Sequence, residues 1–389
     1  MKINIQFKSI KNRLMVWFLV VALLPLVIFS AIIYVQRVES IKAEAFDKLK
    51  AIRDLKVGEV NYWLDEKTGD VQVFSKVAEI ENIDEVLSGK TGTRNDAKAL
   101  RTLSDILNGY RESYKDYEEI SIISVQSGKI VVSTNKALEG TDVSGSKYFT
   151  EPLRTGGVYI SDIYESRSMN RPTMEVSVPI HQNSHKGKSP CGVLVARIDL
   201  ENSVYALLLN RTGLGNTGET LIVNKDGVAL NELRWHNRAP LKLKIEAKPA
   251  LLASQGKTGI VETTDYRGEK VLAAYTHIPR TGWGFVAKMD QKEIYAPINK
   301  LLISILILFF VTVAGVCLIS LFLARNTAQP IIAMTTVAKR IQEGDLSARN
   351  SITSEDEIGF LAESFNQAAD SVALQTELRE INKDISETL

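Results

Sequence analysis

Apolar residues are unevenly distributed along the chain. Leu14 to Val35 contains no charged residue, and neither does Leu301 to Ala324. Each run matches the roughly 20 residues that cross a bilayer core. The first is too long for the apolar region of a cleavable signal peptide, and no small-residue cleavage site follows it cleanly. Two membrane helices are therefore expected, at residues 14–35 and 301–324. Between the runs, Ile41, Leu49, Ile52, Leu55, Val60, Trp63, Leu64, Val71, Phe74 and Val77 recur every three or four residues. That period predicts one long helix with a buried stripe, about 60 Å if it runs to Glu79 at 1.5 Å per residue. Gly58 and Gly69 are its weak points.

After Glu118 the period falls to two. EISIISV and IVVST flank a turn at Ser127-Gly128, and strands are predicted at Val158–Tyr164, Thr173–Ile180 and Cys191–Ile198. In the second of these, Met174, Val176, Val178 and Ile180 alternate with Thr173, Glu175 and Ser177, so one face is core and the other can meet a ligand. A helical stretch, ENSVYALLLN, precedes a second block with strands at Glu219–Asn224, Gly259–Asp265, Lys270–Thr276 and Gly284–Met289. Beyond the second apolar run, Ile331, Met334, Ala338 and Ile341 follow coiled-coil spacing, as do Ile358, Leu361, Phe365, Ala368 and Val372. Leu374, Leu378, Ile381 and Ile385 continue the pattern one residue out of frame, a phase break that over- or underwinds a coiled coil.

Charge fixes the orientation. Lys2, Lys8, Lys11 and Arg13 precede the first run without an acid among them, which keeps the N-terminus in the cytoplasm. Two crossings return Arg325, Lys339 and Arg340 to the same side and leave residues 36–300 outside. Cys191 then lies in the outer segment and Cys317 in the second span, so the two thiols should not meet within one chain. All four histidines are outside, so none can accept a phosphoryl group in the cytoplasm. The balance of 47 Lys+Arg against 46 Asp+Glu argues against a nucleic-acid partner.

Five stretches, SKYFTEPLRTGGVYISDIY, RPTMEVSVPI, GVLVARIDL, TGETLIVNKDG and GWGFVAKMD, resemble in order the landmarks of the double Cache sensor domain, over about Val38 to Ile298. The resemblance implies an α+β fold of tandem PAS-like modules, the distal at about 80–200 and the proximal at about 201–298, with ligand usually bound in the distal one. It puts Tyr148, Phe149, Arg154, Tyr159 and Asp162 at the distal pocket. Aromatic walls with one cation and one anion suit a small carboxylate or zwitterion. The amino-acid-binding subgroup carries Arg two residues before its aromatic pair, where this chain has Ser146.

Pro330, Gly344-Asp345-Leu346, Glu357-Ile358-Gly359 (after Asp356) and Phe365-Asn366 are similar to the HAMP linker, over residues 325–377, followed by the start of a signalling helix at 378–389. That resemblance implies a parallel four-helix coiled coil in a homodimer, since neither narrow seam can be hidden by one chain. It makes Pro330, Gly344, Asp345, Leu346, Glu357, Ile358, Gly359 and Phe365 relay positions.

The reading is a bacterial inner-membrane receptor, two-pass with both termini cytoplasmic, sensing a small extracytoplasmic ligand and passing the signal to a cytoplasmic output domain or partner. The first expectation for the output is the sensor half of a histidine kinase; a chemotaxis receptor or diguanylate cyclase sensor half is the alternative. No catalytic residue, metal or cofactor is implied. The chain's rivals to a receptor are an extracytoplasmic enzyme, which needs converging acid–base groups, and a membrane-anchored solute-binding module, which has no use for a HAMP segment.

Other motifs fail on context. Gly213 to Gly218 fits GxGxxG but follows helix and precedes strand, the reverse of a dinucleotide site. SxxK at Ser144/Lys147 and KTG at Lys257 lack the third element of a penicillin-binding site, and KTG recurs at Lys67 and Lys90. His181 and His185 do not share a helical face. Asn210-Arg211-Thr212 is a glycosylation sequon only in a eukaryotic secretory setting.

Overall fold

The computed structural model describes residues 10–80, 87, 94–166, 170–181 and 189–388. Lys2, Lys8, Lys90 and His185 lie outside the described residues, as do the side chains of Lys11, Arg13 and Ile385. The chain divides into two compact units, residues 39–296 and residues 1–38 with 297–389.

In the first unit, helix α1 (Ile10–Ile80) contributes its stretch from Glu39 onward. The helix runs through Gly58 and Gly69 without a break. Its stripe is as the spacing predicts except at Leu55, which is 62% exposed. Arg53, Lys56 and Lys67 are buried beside the stripe instead. Their aliphatic stems pack while their heads reach acceptors: Lys56 Nζ donates to the Leu207 carbonyl at 2.8 Å, and Lys67 Nζ sits 2.6 Å from Asp116.

The first module adds α2 (Arg94–Ser113), β1 (Tyr117–Ser124), β2 (Ile130–Ser133), α3 (Lys147–Thr155), β3 (Tyr159–Ile160), β4 (Tyr164–Ser166), β5 (Arg171–His181) and β6 (Pro190–Ile198). The sheet is antiparallel in the order β2-β1-β6-β5-β3, with β4 also on β5. One face carries Ile120, Ile122, Met174, Val176, Leu194 and Ala196, all buried. α2 packs on β1 and β2, and Phe74 of α1 stacks on Tyr110 and meets Tyr117 edge-on at 5.8 Å. The opposite face, expected to be open to a ligand, is also buried, because α3 packs over β5 and β6. The predicted strand Val158–Tyr164 is two short strands: after Ser161 donates its N–H to Glu175 O at 2.9 Å, the backbone turns out at Asp162.

A π-turn (Glu201–Tyr205) and α4 (Ala206–Leu209) lead to the second module. It contains β7 (Glu219–Val223), α5 (Lys248–Ser254), β8 (Gly259–Thr264), β9 (Lys270–Ile278), β10 (Trp283–Asp290) and α6 (Gln291–Ile294), its sheet running β7-β10-β9-β8. α5 closes a core of Leu221, Val223, Ala273 and Val286. Gly213 and Gly215 take left-handed backbone in the link before β7, so the GxGxxG segment is a turn.

The second unit holds α7 (Ala296–Leu323), a π-turn at Ala324–Ala328, α8 (Gln329–Gln342) and α9 (Glu357–Thr388). The apolar parts of α1 and α7 are long and apolar enough to cross a membrane. Pro330 stands near the start of α8, directly after the π-turn. Proline cannot donate to the helical ladder, and a locally widened turn accommodates the missing bond.

Candidate ligand site in the first module

Alternation along β1, β5 and β6 brings three ionisable side chains to the face under α3. Glu119 is the register partner of Arg197, and Arg197 is in turn the partner of Glu175. Arg197 Nη1 lies 2.5 Å from Glu119 Oε2, and its Nε lies 3.4 Å from Glu175 Oε1. Glu119 accepts further bonds from Ser121 Oγ at 2.5 Å and Ser133 Oγ at 3.3 Å. Glu175, fully buried, accepts from Tyr164 Oη at 2.5 Å and Ser161 Oγ at 3.3 Å.

Two carboxylates thus surround one guanidinium. Burial drives the Glu175 carboxyl above its ordinary range, against the pull of Tyr164 and Arg197. Burial works to lower Arg197, but Glu119 and Glu175 outweigh it and hold the guanidinium more firmly charged. Burial, then Glu175, pushes the Tyr164 hydroxyl far up, so it stays a donor. On the same strand face the Thr173 and Ser177 hydroxyls are buried without a hydrogen-bond partner. Glu119, Ser121, Tyr148 and Arg197, with Ile123, Ile130 and Val195, enclose a cavity of about 20 Å³, room for roughly one water.

Of the residues singled out from sequence, Tyr148, Phe149 and Tyr159 reach this face. Tyr148 lines the cavity, and Tyr159 is half-buried opposite Ser177. Phe149 packs with Ile123, Ile130 and Val193. Arg154 is exposed on α3 and pairs one turn back with Glu151 at 2.6 Å. Asp162 is exposed between β3 and β4, accepting from the Ile163 N–H and from Trp283 Nε1, both at 2.8 Å. Glu119, Glu175 and Arg197 were not singled out as a site; their signal was three charges on inward positions of strands otherwise rich in Val, Ile and Ser.

The second module repeats this arrangement. Glu219 on its first strand is the register partner of Lys288 on β10, and Lys288 Nζ lies 2.9 Å from Glu219 and also pairs with Asp265. Tyr266 donates to Glu219 at 3.0 Å, whereas in the first module the tyrosine, Tyr164, donates to Glu175 on β5. The same first-strand Glu and last-strand cation in both modules mark a structural duplication that no sequence period reveals.

Residues 38–298 match the family model for the Cache domain, two-thirds of the chain, and residues 322–373 match that for the HAMP domain. The chain belongs to the Cache domain family. This Cache chain is 24% identical over 375 residues to the methyl-accepting chemotaxis protein McpA of Bacillus subtilis, covering 95% of the chain and 52% of McpA. It is also 24% identical over 382 residues to TlpA of the same organism, again 95% against 52%. It thus spans about half the length of these curated relatives. The sensory domain of the Campylobacter jejuni chemoreceptor Tlp3 shares its fold, with TM-score 0.51, 16% identity, 66% of this chain covered and 97% of that one. The same domain has been solved with isoleucine bound, at TM-score 0.50, 16% identity and coverage of 66% and 96%.

In the HAMP segment, α8 ends before Gly344, whose φ is 100°, a conformation that favours glycine. Asp345 accepts from Arg340 at 2.6 Å and from Ser347, which with Arg340 holds its carboxyl below the usual range. Leu346 is half-buried. Asp356 caps α9, accepting the N–H groups of Ile358 at 3.0 Å and Gly359 at 3.1 Å, while Glu357 opens the helix. Asn366, beside Phe365, accepts from Asn350 N–H at 2.8 Å and donates to Asn350 O at 2.9 Å, fastening the connector to α9. Ile331, Leu361, Val372, Leu374, Leu378 and Ile381 remain exposed along these helices.

Proposed function

We propose that this chain is the sensory front half of a two-pass transmembrane chemoreceptor. In this reading its first Cache module takes a small ammonium-bearing ligand, an amino-acid zwitterion being the first candidate. The observation that carries the ligand class is the buried Glu119–Arg197–Glu175 set. A ligand carboxylate alone would have to displace a glutamate from Arg197 and leave it buried and unpaired, which is costly. An ammonium group relieves the carboxylate excess, and a zwitterion does so while offering Arg197 a replacement partner. Arg197 would then supply from the sheet the cation that Ser146 does not supply. The unpartnered Thr173 and Ser177 hydroxyls are suited to the ligand's remaining polar atoms. The small cavity volume requires α3 or the β3–β4 segment to yield on entry.

The methyl-accepting relatives favour a chemotaxis output over the histidine kinase expected first. The uncharged stretches and the basic N-terminal residues support both termini in the cytoplasm of a bacterial inner membrane with the Cache domain outside. The exposed apolar seam of α8 and α9 favours a homodimer through HAMP, and the phase break after Val372 is its candidate two-state element.

The test is calorimetric titration of the whole chain in nanodiscs with amino acids, each beside its des-amino carboxylate. Saturable binding of an amino-bearing member, weakened at least about tenfold by Glu175→Gln, is the expected result. Binding of the carboxylates alone overturns the ligand class.

A further inference from the structure

A second, larger cavity lies between the two Cache modules, about 370 Å³, the size of a small-molecule site. Carboxylates line it from both modules: Glu118, Glu165, Asp199, Glu201 and Glu232. Its cations are Arg171, Arg238 and Lys242, so the described lining carries two more negative than positive charges.

Two buried polar atoms in this lining have no hydrogen-bond partner. One is the hydroxyl of Tyr205, a side chain only 5% exposed, which burial first and then Glu232 and Glu201 push well above its ordinary range. The other is Glu118 Oε2, whose sister oxygen pairs with Arg171 at 2.7 Å. Glu118 is the extra residue where the β1–β6 register shifts, a bulge that takes it out of the alternation Glu119 and Ser121 obey. Asp199 and Glu232 are already occupied, by the N–H groups of Glu201 and Asn202 and of Arg238 respectively. Every described non-glycine residue with left-handed backbone also lines this cavity: Asn170, Arg238 and Leu241. Such backbone is retained where surroundings hold a site in shape.

We propose that this intermodule cavity binds a small aliphatic diamine, its ammonium groups taken up by the unpartnered Glu118 Oε2 and Tyr205 hydroxyl and by the remaining acidic residues of the lining. Two ammonium groups match the net excess of two acidic residues in the described lining, and a chain of methylenes spans between them. A ligand held by residues of both modules favours one intermodule arrangement over another, so the site would modulate the receptor from outside the first-module pocket. The inference does not depend on the ligand proposed for that pocket.

The experiment titrates the whole chain in nanodiscs with 1,4-diaminobutane and, as neutral isostere, 1,4-butanediol, with hydrogen exchange read in parallel. Saturable diamine binding that slows exchange in residues 199–205 and 238–242 is expected. Glu118→Gln and Tyr205→Phe should each weaken it at least about tenfold, the second removing a single oxygen. Equal binding of the diol, unchanged affinity in both variants, or slowed exchange confined to residues 145–162 overturns the proposal.

Discussion

Trp283 Nε1 donates to the Asp162 carboxylate at 2.8 Å, tying the first residue of β10 in the second module to the bend between β3 and β4 in the first. The neighbouring Ser161 meets Glu175 three times, donating its backbone N–H at 2.9 Å and its hydroxyl at 3.3 Å and accepting the Glu175 N–H at 2.9 Å. A displacement at the buried carboxylate therefore has a path of three residues to a side chain of the other module that is only 1% exposed.

Trp283→Phe keeps most of the ring and removes the donor. It should cost about 1–3 kcal/mol, the range for a lost hydrogen bond to a charged group plus a small void. Ligand binding should survive, while hydrogen exchange on β10 should stop responding to ligand. A response on β10 equal to that of the parent chain would show that the modules communicate by another route.

Glu175 gives a pH signature of definite sign. Burial raises its carboxyl in the folded chain, so the folded state holds its proton more tightly than the unfolded one. Its contribution is fully present below the ordinary glutamate value, about 4.3, and is lost as pH rises through the raised value. The melting temperature of the parent chain should fall against that of Glu175→Gln over this window. A parent melting temperature that rises against that of Glu175→Gln as pH increases would reverse the assignment. An ammonium ligand favours the ionised carboxylate, so affinity should climb over the same range and binding should release protons.

Buried and exposed lysines should behave differently when their charge is removed. Lys288, 2% exposed, stands between Glu219 and Asp265, and Lys288→Met leaves both without their ammonium partner. Breaking such a pair costs about 3–5 kcal/mol. Lys292 pairs with Glu269 at 3.0 Å but its side chain is 82% exposed, so Lys292→Met should cost less than about 1 kcal/mol. Denaturant midpoints of the two variants measure the contrast; equal midpoints would mean the Lys288 cluster is open to water.

What the sequence disclosed follows from how far each interaction reaches. The period of three to four along α1 and the alternation in β5 are local, so the helix and its buried face were legible residue by residue. Leu55 kept the period yet faces out, because the stripe at that level is supplied by the stems of Arg53 and Lys56, whose polar acceptors lie far off in sequence at Tyr275 and Leu207. Thr173, Glu175 and Ser177 were recognisable as a polar strand face, whereas the pairing of Glu175 with Arg197 and Glu119 depends on strand order. Tyr148, Phe149 and Tyr159 stand on the family landmarks and come to this face through strand order and the packing of α3. Arg154 and Asp162 stand on those landmarks too, but the first is satisfied within its own helix turn and the second by the other module.

The glycine that closes the Asp-Glu-Ile-Gly run in HAMP has a steric reason to be glycine. A Cβ on Gly359 would overlap the Ser354 carbonyl group, its carbon only 2.6 Å away. Backbone cannot yield as a side-chain tip does, so Gly359→Ala must push the connector away from the start of α9. That movement strains the Asp356 cap, whose carboxylate accepts the N–H groups of Ile358 and Gly359 and whose loss alone is worth about 1 kcal/mol. Gly58→Ala is the control, since nothing lies within 4 Å of the equivalent position there and alanine is the better helix former. Cysteines placed at Ser351 and on the exposed face of α9 should change their disulfide yield in Gly359→Ala and not in Gly58→Ala. If Gly359→Ala leaves the yield untouched and the chain equally stable, the contact between connector and helix does not set the geometry of this segment.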